Sequence, residues 1–119
     1  MLKFQKQTQI FLARVGVDND LRISIVPKSR SCAQPGDILI FRYQLYGPPS
    51  ERIFMVTEPI VKEARTGNLL LTGFKVPEGA DYTPNSLISL YKNRELPKEG
   101  YRTYIMSKIY GPLRKIKKV

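Results

Sequence analysis

Apolar and polar residues alternate over short runs of this chain, a pattern that predicts β-strands. In residues 21–26 the apolar positions 21, 23 and 25 alternate with Arg22 and Ser24, as a half-buried strand requires. The preceding stretch, 16–20, is made of residues that tolerate turn dihedrals, so a hairpin is expected over residues 10–26. Similar runs, bounded by glycine and proline, predict further strands at residues 38–46, 52–56, 69–74 and 101–110.

One segment departs from strand periodicity and predicts a helix. Thr83 followed by Pro84 has the character of an N-cap and a first-turn proline. Apolar residues then recur at helical spacing, at positions 87, 88, 90 and 91, until Pro97 ends the run. A helical insertion over about residues 84–95 is therefore expected.

Short strands, Gly/Pro turns and a single helix together predict the fold class. The chain is expected to be mainly β, a small antiparallel barrel of the SH3 or Sm kind with one short inserted helix. Its 119 residues fit a single domain. Within residues 1–119 we expect, in order, the N-terminal hairpin 10–26, the barrel 37–110 with the helical insertion, and a basic C-terminal tail, 111–119.

Composition removes several kinds of chemistry. Histidine and tryptophan are absent and Cys32 is the only cysteine, which excludes catalysis through imidazole, intrachain disulfides and four-cysteine metal sites. No apolar run approaches the ~20 residues that span a bilayer, and the first nine residues lack the pattern of a secretory signal. We therefore expect no cofactor, no metal, no membrane association and a cytoplasmic location, and the sequence predicts no particular oligomeric state.

Net charge indicates the class of partner. Twenty lysines and arginines stand against ten acids, which gives a net charge of +10. The last acid is Glu99, and six of the cations follow it with no acid among them. Such an excess favours polyanionic partners, which are most often nucleic acid, either DNA or RNA, and otherwise an acidic protein.

One face of the predicted closing strand, 101–110, interleaves cations with aromatic rings. With a period of two, that face carries Arg102, Tyr104, Lys108 and Tyr110. Tyrosine rings can stack on bases while arginine and lysine pair with phosphates, so this face is predicted to bind nucleic acid. The alternative is that Tyr104 and Met106 fill the core, because a barrel buries one face of every strand.

Two further groups of cations extend the hypothesis. On the predicted strand 38–46, Arg42 and Tyr46 lie opposite an apolar face, and Arg52 is expected near them on the return strand; the alternative is an ordinary solvated edge. The basic tail would contact phosphates without reading sequence, or would only keep the chain end solvated. Its cations are Arg114, Lys115, Lys117 and Lys118.

From Asp37 to Tyr110 the order of landmarks resembles the WYL domain. The likeness rests on the segments 38–43, 51–59, 69–74 and 101–109. That family is an Sm/SH3-like barrel found in bacterial and some phage nucleic-acid-associated regulators, so the resemblance implies this fold and a nucleic-acid partner. It also implies that Arg102 stands at the family's closing-strand arginine, where it would contact a nucleotide or a phosphate.

Two other functions remain open. Residues 35–40 resemble the first strand of the MazF/PemK ribonuclease toxins, and that resemblance implies an RNA-cleaving role for Arg52. A small barrel with extended ends also suits an assembly factor that docks on an acidic host or virion protein. The leading hypothesis is a non-enzymatic nucleic-acid-binding protein, a regulatory or accessory factor whose resemblances are in keeping with a phage origin.

Overall fold

The computed structural model describes residues 23–44 and 46–118, and that part of the chain forms seven β-strands and one α-helix. The strands are β1 (Ile23–Pro27), β2 (Ile38–Tyr43), β3 (Ser50–Val56), β4 (Val61–Lys62), β5 (Leu69–Lys75), β6 (Tyr101–Ile105) and β7 (Ile109–Lys118). The helix α1 covers Pro84–Lys92, and short 3-10 turns cover Arg30–Cys32, Lys98–Gly100 and Met106–Lys108. Most of the hairpin expected over residues 10–26 lies outside the described residues.

Every strand pairing is antiparallel, and the pairings follow one curled path. The order is β1-β7-β2-β3-β5, and both β4 and β6 pair with β5. β6 leads through the 3-10 turn Met106–Lys108 into β7, which returns to pair with β2. The result is a curled antiparallel sheet that forms a small, barrel-like structure. The predicted fold class, mainly β and antiparallel with one short helix, is confirmed.

Both faces of the central strand β2 are buried, which alternation along a single strand does not predict. On β2 the odd positions, among them Leu39 and Phe41, face the barrel interior. The even positions Ile38 and Ile40 belong to a second core on the outer face, together with Leu87 from the helix. On β2 the polar residue Arg42 therefore lies near the end of the strand, because the middle of the strand is apolar on both sides.

The helix begins at a well-defined N-cap and packs on the outer core. The Thr83 hydroxyl accepts from the Ser86 N–H at 3.1 Å, and the Ser86 hydroxyl accepts from the Thr83 N–H at 2.8 Å, which makes a reciprocal capping box. Leu87, one residue further on, is fully buried. The expected helical insertion over about residues 84–95 is confirmed, with α1 occupying its first nine residues.

The closing segment differs from the prediction of one strand over residues 101–110. The 3-10 turn Met106–Lys108 separates β6 from β7, so even positions face the interior before the turn and odd positions, such as Ile109, face it afterwards. Tyr104 and Met106 both lie in the core, as the alternative interpretation held. The expected tail is also a strand as far as Lys118, because β7 pairs with β1 and β2.

The corner between β6 and β7 is fixed by one arginine. The Arg30 guanidinium donates hydrogen bonds to the carbonyl oxygens of Met106 at 3.0 Å, Ile109 at 3.0 Å and Gly111 at 2.7 Å. The planar fork of arginine suits several carbonyl acceptors at once. Arg30 is thus a structural cation.

Candidate anion-binding site

Three cations from three strands meet at one end of the barrel interior. Lys75, the last residue of β5, lies opposite Phe54, and Arg102 on β6 lies opposite Gly73. Arg52 is two residues before Phe54 on β3 and therefore shares its inward face. We call Arg52, Lys75 and Arg102 the mouth cluster.

Arg52 is held against the aromatic core of the barrel. Its guanidinium carbon lies 6.0 Å from the centroid of the Tyr104 ring, within cation–π range. Its Nη1 donates to the Glu51 carbonyl oxygen at 3.0 Å and to the Ser50 hydroxyl. These contacts leave Arg52 half-buried and preorganised at the mouth.

Arg102 is anchored through its backbone surroundings. Its Nη1 donates to the carbonyl oxygens of Glu99 at 2.7 Å and Tyr101 at 2.8 Å, while the residue stays exposed. Both bonds engage the same nitrogen. A guanidinium has five N–H donors, so this one can still bind an anion with the others.

The pKa of Lys75 reflects the positive charge of the cluster. Burial, followed by the nearby charges of Arg52 and Arg102, lowers the pKa of Lys75 despite the opposing charge of Glu78. Within the described residues no salt bridge joins these three cations to an acid. The charged form of Lys75 is therefore disfavoured in the folded protein, and a bound anion would relieve that penalty.

Tyr104 forms the floor of the mouth and is not a stacking platform. Only 6% of the residue is exposed, and its ring packs edge-on against Phe41, Phe54 and Tyr43 with centroid separations of 4.6–5.4 Å. Burial raises the pKa of Tyr104, although Arg52 and Arg102 oppose that shift. Its hydroxyl stays neutral at neutral pH, and the predicted exposed ring on this face is wrong.

A second group of charges lies on the outer face of β2, β3 and β7. Arg42 is opposite Glu51 and Tyr110 in the register, its guanidinium carbon is 5.4 Å from the Tyr110 centroid, and its Nε is 3.9 Å from Glu51 Oε1. Tyr110 is 53% exposed. A cation and an exposed aromatic ring therefore do lie together, but the pair is Arg42 and Tyr110, which were predicted in two separate groups.

Glu51 is a buried carboxyl in this outer group. Burial raises the pKa of Glu51 to about 7, although the charges of Arg42, Arg114 and Arg52 oppose the shift. Neither carboxyl oxygen accepts a hydrogen bond in the part of the chain that the structure describes. The carboxyl is therefore partly protonated at neutral pH, and its ionisation acts against the fold.

Replacing Glu51 by glutamine is expected to remove a pH dependence of stability. Because the folded pKa lies above the unfolded value, near 4.5, the wild-type contribution is fully present below pH 4.5 and is lost as the pH rises through about 7. From pH 5 to pH 8 the free energy of unfolding should fall by about 1–2 kcal/mol more in the wild type than in Glu51→Gln. Urea unfolding at both pH values measures this difference, and parallel pH profiles would contradict it.

Lys115, predicted as a phosphate contact, is used inside the fold. Its Nζ lies 2.9 Å from Asp37 Oδ1, and Lys28 Nζ lies 3.5 Å from Asp37 Oδ2. Burial would raise the pKa of Asp37, but the hydrogen bonds from Lys115 and the Gln34 N–H and the charges of both lysines lower it. The carboxylate and Lys115 thus stabilise each other at the far end of β7.

The other predicted residues are scattered. Lys108 is exposed in the 3-10 turn, and Arg114 is half-buried on β7 near Glu51. The backbones of Lys117 and Lys118 belong to β7, and their side chains lie outside the described part. Of the ten residues predicted to bind nucleic acid, the mouth brings together Arg52, Arg102 and the floor residue Tyr104. Lys75 was missed, although it follows Leu71 and Gly73 at strand spacing.

In the described chain no helix is long and apolar enough to cross a membrane. The same residues contain no group of three or more histidine, cysteine or acidic side chains placed to hold a metal ion. Comparison with protein-family models, curated proteins and solved structures gives no match.

Proposed function

We propose that this chain is a non-enzymatic nucleic-acid-binding barrel whose mouth cluster contacts backbone phosphates. The observation that carries the proposal is the meeting of Arg52, Lys75 and Arg102 without a paired acid in the described chain, in surroundings that lower the pKa of Lys75. Like charges are seldom gathered for stability alone, since their repulsion and desolvation act against the fold. A bound phosphate would attract all three cations and offset their mutual repulsion.

The chemistry of the three side chains favours phosphate in particular. Arginine presents a planar fork that binds phosphate through two N–H donors, and lysine adds a point charge. Two of the three cations are fixed by hydrogen bonds to backbone carbonyls, so little side-chain entropy is lost on binding. The resemblance to WYL barrels, which implies a phosphate contact for Arg102, agrees with this position.

The outer group adds a base-stacking surface. Tyr110 is half-exposed, and Arg42 lies over its ring. Base stacking on such a ring contributes ~1–3 kcal/mol per base in proteins that use this mode. The net charge of +10 attracts any polyanion, so selectivity for nucleic acid comes from these two groups.

The test is a fluorescence-anisotropy titration with single-stranded DNA, duplex DNA and RNA of equal length at several salt concentrations. Three phosphate contacts should give a slope of log K against log salt of about −2 for single strands. Absence of binding at low salt would contradict the proposal. RNA cleavage that is lost in Arg52→Ala would instead favour the ribonuclease alternative, and a co-purifying partner that survives nuclease treatment would favour docking on a protein.

A further inference from the structure

A small pocket adjoins the mouth cluster. Its volume is about 220 Å³, and it is bounded on one side by Lys75 and Arg102 and on the other by the two loops that flank α1. The loop residues that line it include Tyr82, Pro97 and Gly100. Two cations thus belong both to the mouth and to the rim of a pocket with apolar walls.

Close packing at Phe74 shapes the pocket. The Phe74 and Tyr82 rings meet edge-on with centroids 5.7 Å apart. Gly100 is buried, and a Cβ added to it would lie 2.1 Å from the Phe74 ring. The absence of a side chain at Gly100 lets the returning loop approach Phe74, so the helical insertion supplies two walls of the pocket.

Size and lining suit one flat ring. Pockets for drug-sized ligands span roughly 300–1,000 Å³, so this one is too small for an extended ligand. Tyr82, Phe74 and the prolines offer aromatic and apolar surface, and Glu99 offers an acceptor for an amino group. The rim supplies positive charge within reach of a phosphate attached to that ring.

We propose that the pocket receives one unpaired base of a strand whose adjoining phosphate lies on Lys75 and Arg102. This inference rests on the proposed function and deepens it. A base within a duplex would have to break its pairing and stacking before it could enter the pocket, which costs free energy. The ligand class is thus single-stranded nucleic acid or an unpaired end. A blunt duplex offers the mouth only phosphates.

The experiment compares two single strands of equal length and charge, a normal oligonucleotide and one that consists of abasic deoxyribose phosphates. Because Tyr110 and the pocket would both contact bases, the normal strand should bind more than about ten-fold more tightly. Tyr82→Ala should lower that ratio by about five-fold or more, while the share from Tyr110 remains. Tyr46→Ala, which alters an exposed tyrosine on the β2–β3 loop, is the control and should leave the ratio unchanged.

Three outcomes are distinguishable. Equal affinity for the two strands would overturn the inference while leaving phosphate binding intact. An unchanged ratio in a folded Tyr82→Ala variant would also overturn the inference, since the bases would then be bound elsewhere. Failure of both strands to bind would overturn the proposed function itself. If Tyr82→Ala does not fold, the amide resonance of Gly100 in the wild-type protein provides the readout. It should shift with the normal strand and not with the abasic strand, and equal shifts would contradict the inference.

Discussion

Replacing Arg52 and Arg102 together by glutamine is expected to weaken binding of a single-stranded oligonucleotide by at least about 100-fold at low salt. Each side chain contributes a charge-assisted contact to phosphate, and such contacts are worth ~1.5–3 kcal/mol. The slope of log K against log salt should also become less negative by about 1.4, since each phosphate contact on a single strand contributes ~0.7. Anisotropy titrations at three or more salt concentrations measure both quantities.

A matched control separates the mouth from general charge. Lys62 and Arg65 are exposed near the start of β5, and they lie at the end opposite Lys75. The double variant Lys62→Gln/Arg65→Gln loses the same two charges and should reduce affinity less than five-fold. Equal losses in the two double variants would mean that binding follows net charge alone, which would contradict a specific site at the mouth.

Gly73→Ala is expected to destabilise the protein by about 3 kcal/mol. A Cβ at position 73 would lie 2.0 Å from the Met55 carbonyl oxygen and 2.9 Å from the Phe54 ring, so β3 and β5 would have to move apart. Overpacking usually costs ~1–3 kcal/mol, and backbone cannot yield as a side chain can. Urea denaturation monitored by circular dichroism gives the free energy of unfolding.

The neighbouring Thr72→Ala provides the comparison for Gly73→Ala. It removes only the exposed hydroxyl that lies 2.9 Å from that of Thr103, and should cost less than about 1 kcal/mol. A Gly73→Ala variant as stable as this one would show that β3 and β5 are not closely packed here. The point bears on function, because this approach places Lys75 beside Arg52.

The barrel could be predicted largely from local pattern. Alternation on β2 identified the inward positions Leu39 and Phe41, and the Thr83-Pro84 pair located the start of the helix. Alternation did not reveal that Ile38 and Ile40 are covered as well, because that burial depends on where the helix packs.

The prediction of one continuous strand over residues 101–110 was wrong for a different reason. The prediction assumed that every second residue from Arg102 to Tyr110 lies on the same face. The interior residues are in fact even-numbered up to Met106 and odd-numbered from Ile109. A 3-10 turn produces such a change without a proline or glycine to mark it. The turn is evident from the spacing of the buried residues Met106 and Ile109, which are three positions apart and so break the period of two.

The mouth cluster was not predictable from spacing. Its members lie on three strands, and only the register between β3, β5 and β6 brings them together. Sequence reasoning identified Arg102 from the alternation of residues 101–110 and Arg52 from its place on the predicted return strand. Each was supported by a different resemblance, and Lys75 was omitted. Nothing in the local sequence at the end of an apolar strand distinguishes a solvated lysine from one, such as Lys75, that faces two arginines.

Lys75→Met provides the most direct test that the mouth is an anion site whose charge acts against the free fold. Because burial and two arginines lower the pKa of Lys75, removing its charge should leave the urea midpoint unchanged or raise it, while affinity for a single strand should fall about ten-fold. Lys62→Met serves as the control and should change neither quantity appreciably. Unfolding and binding measured on the same preparation decide the matter: greater or equal stability with weaker binding is the predicted result, and unchanged affinity would contradict it.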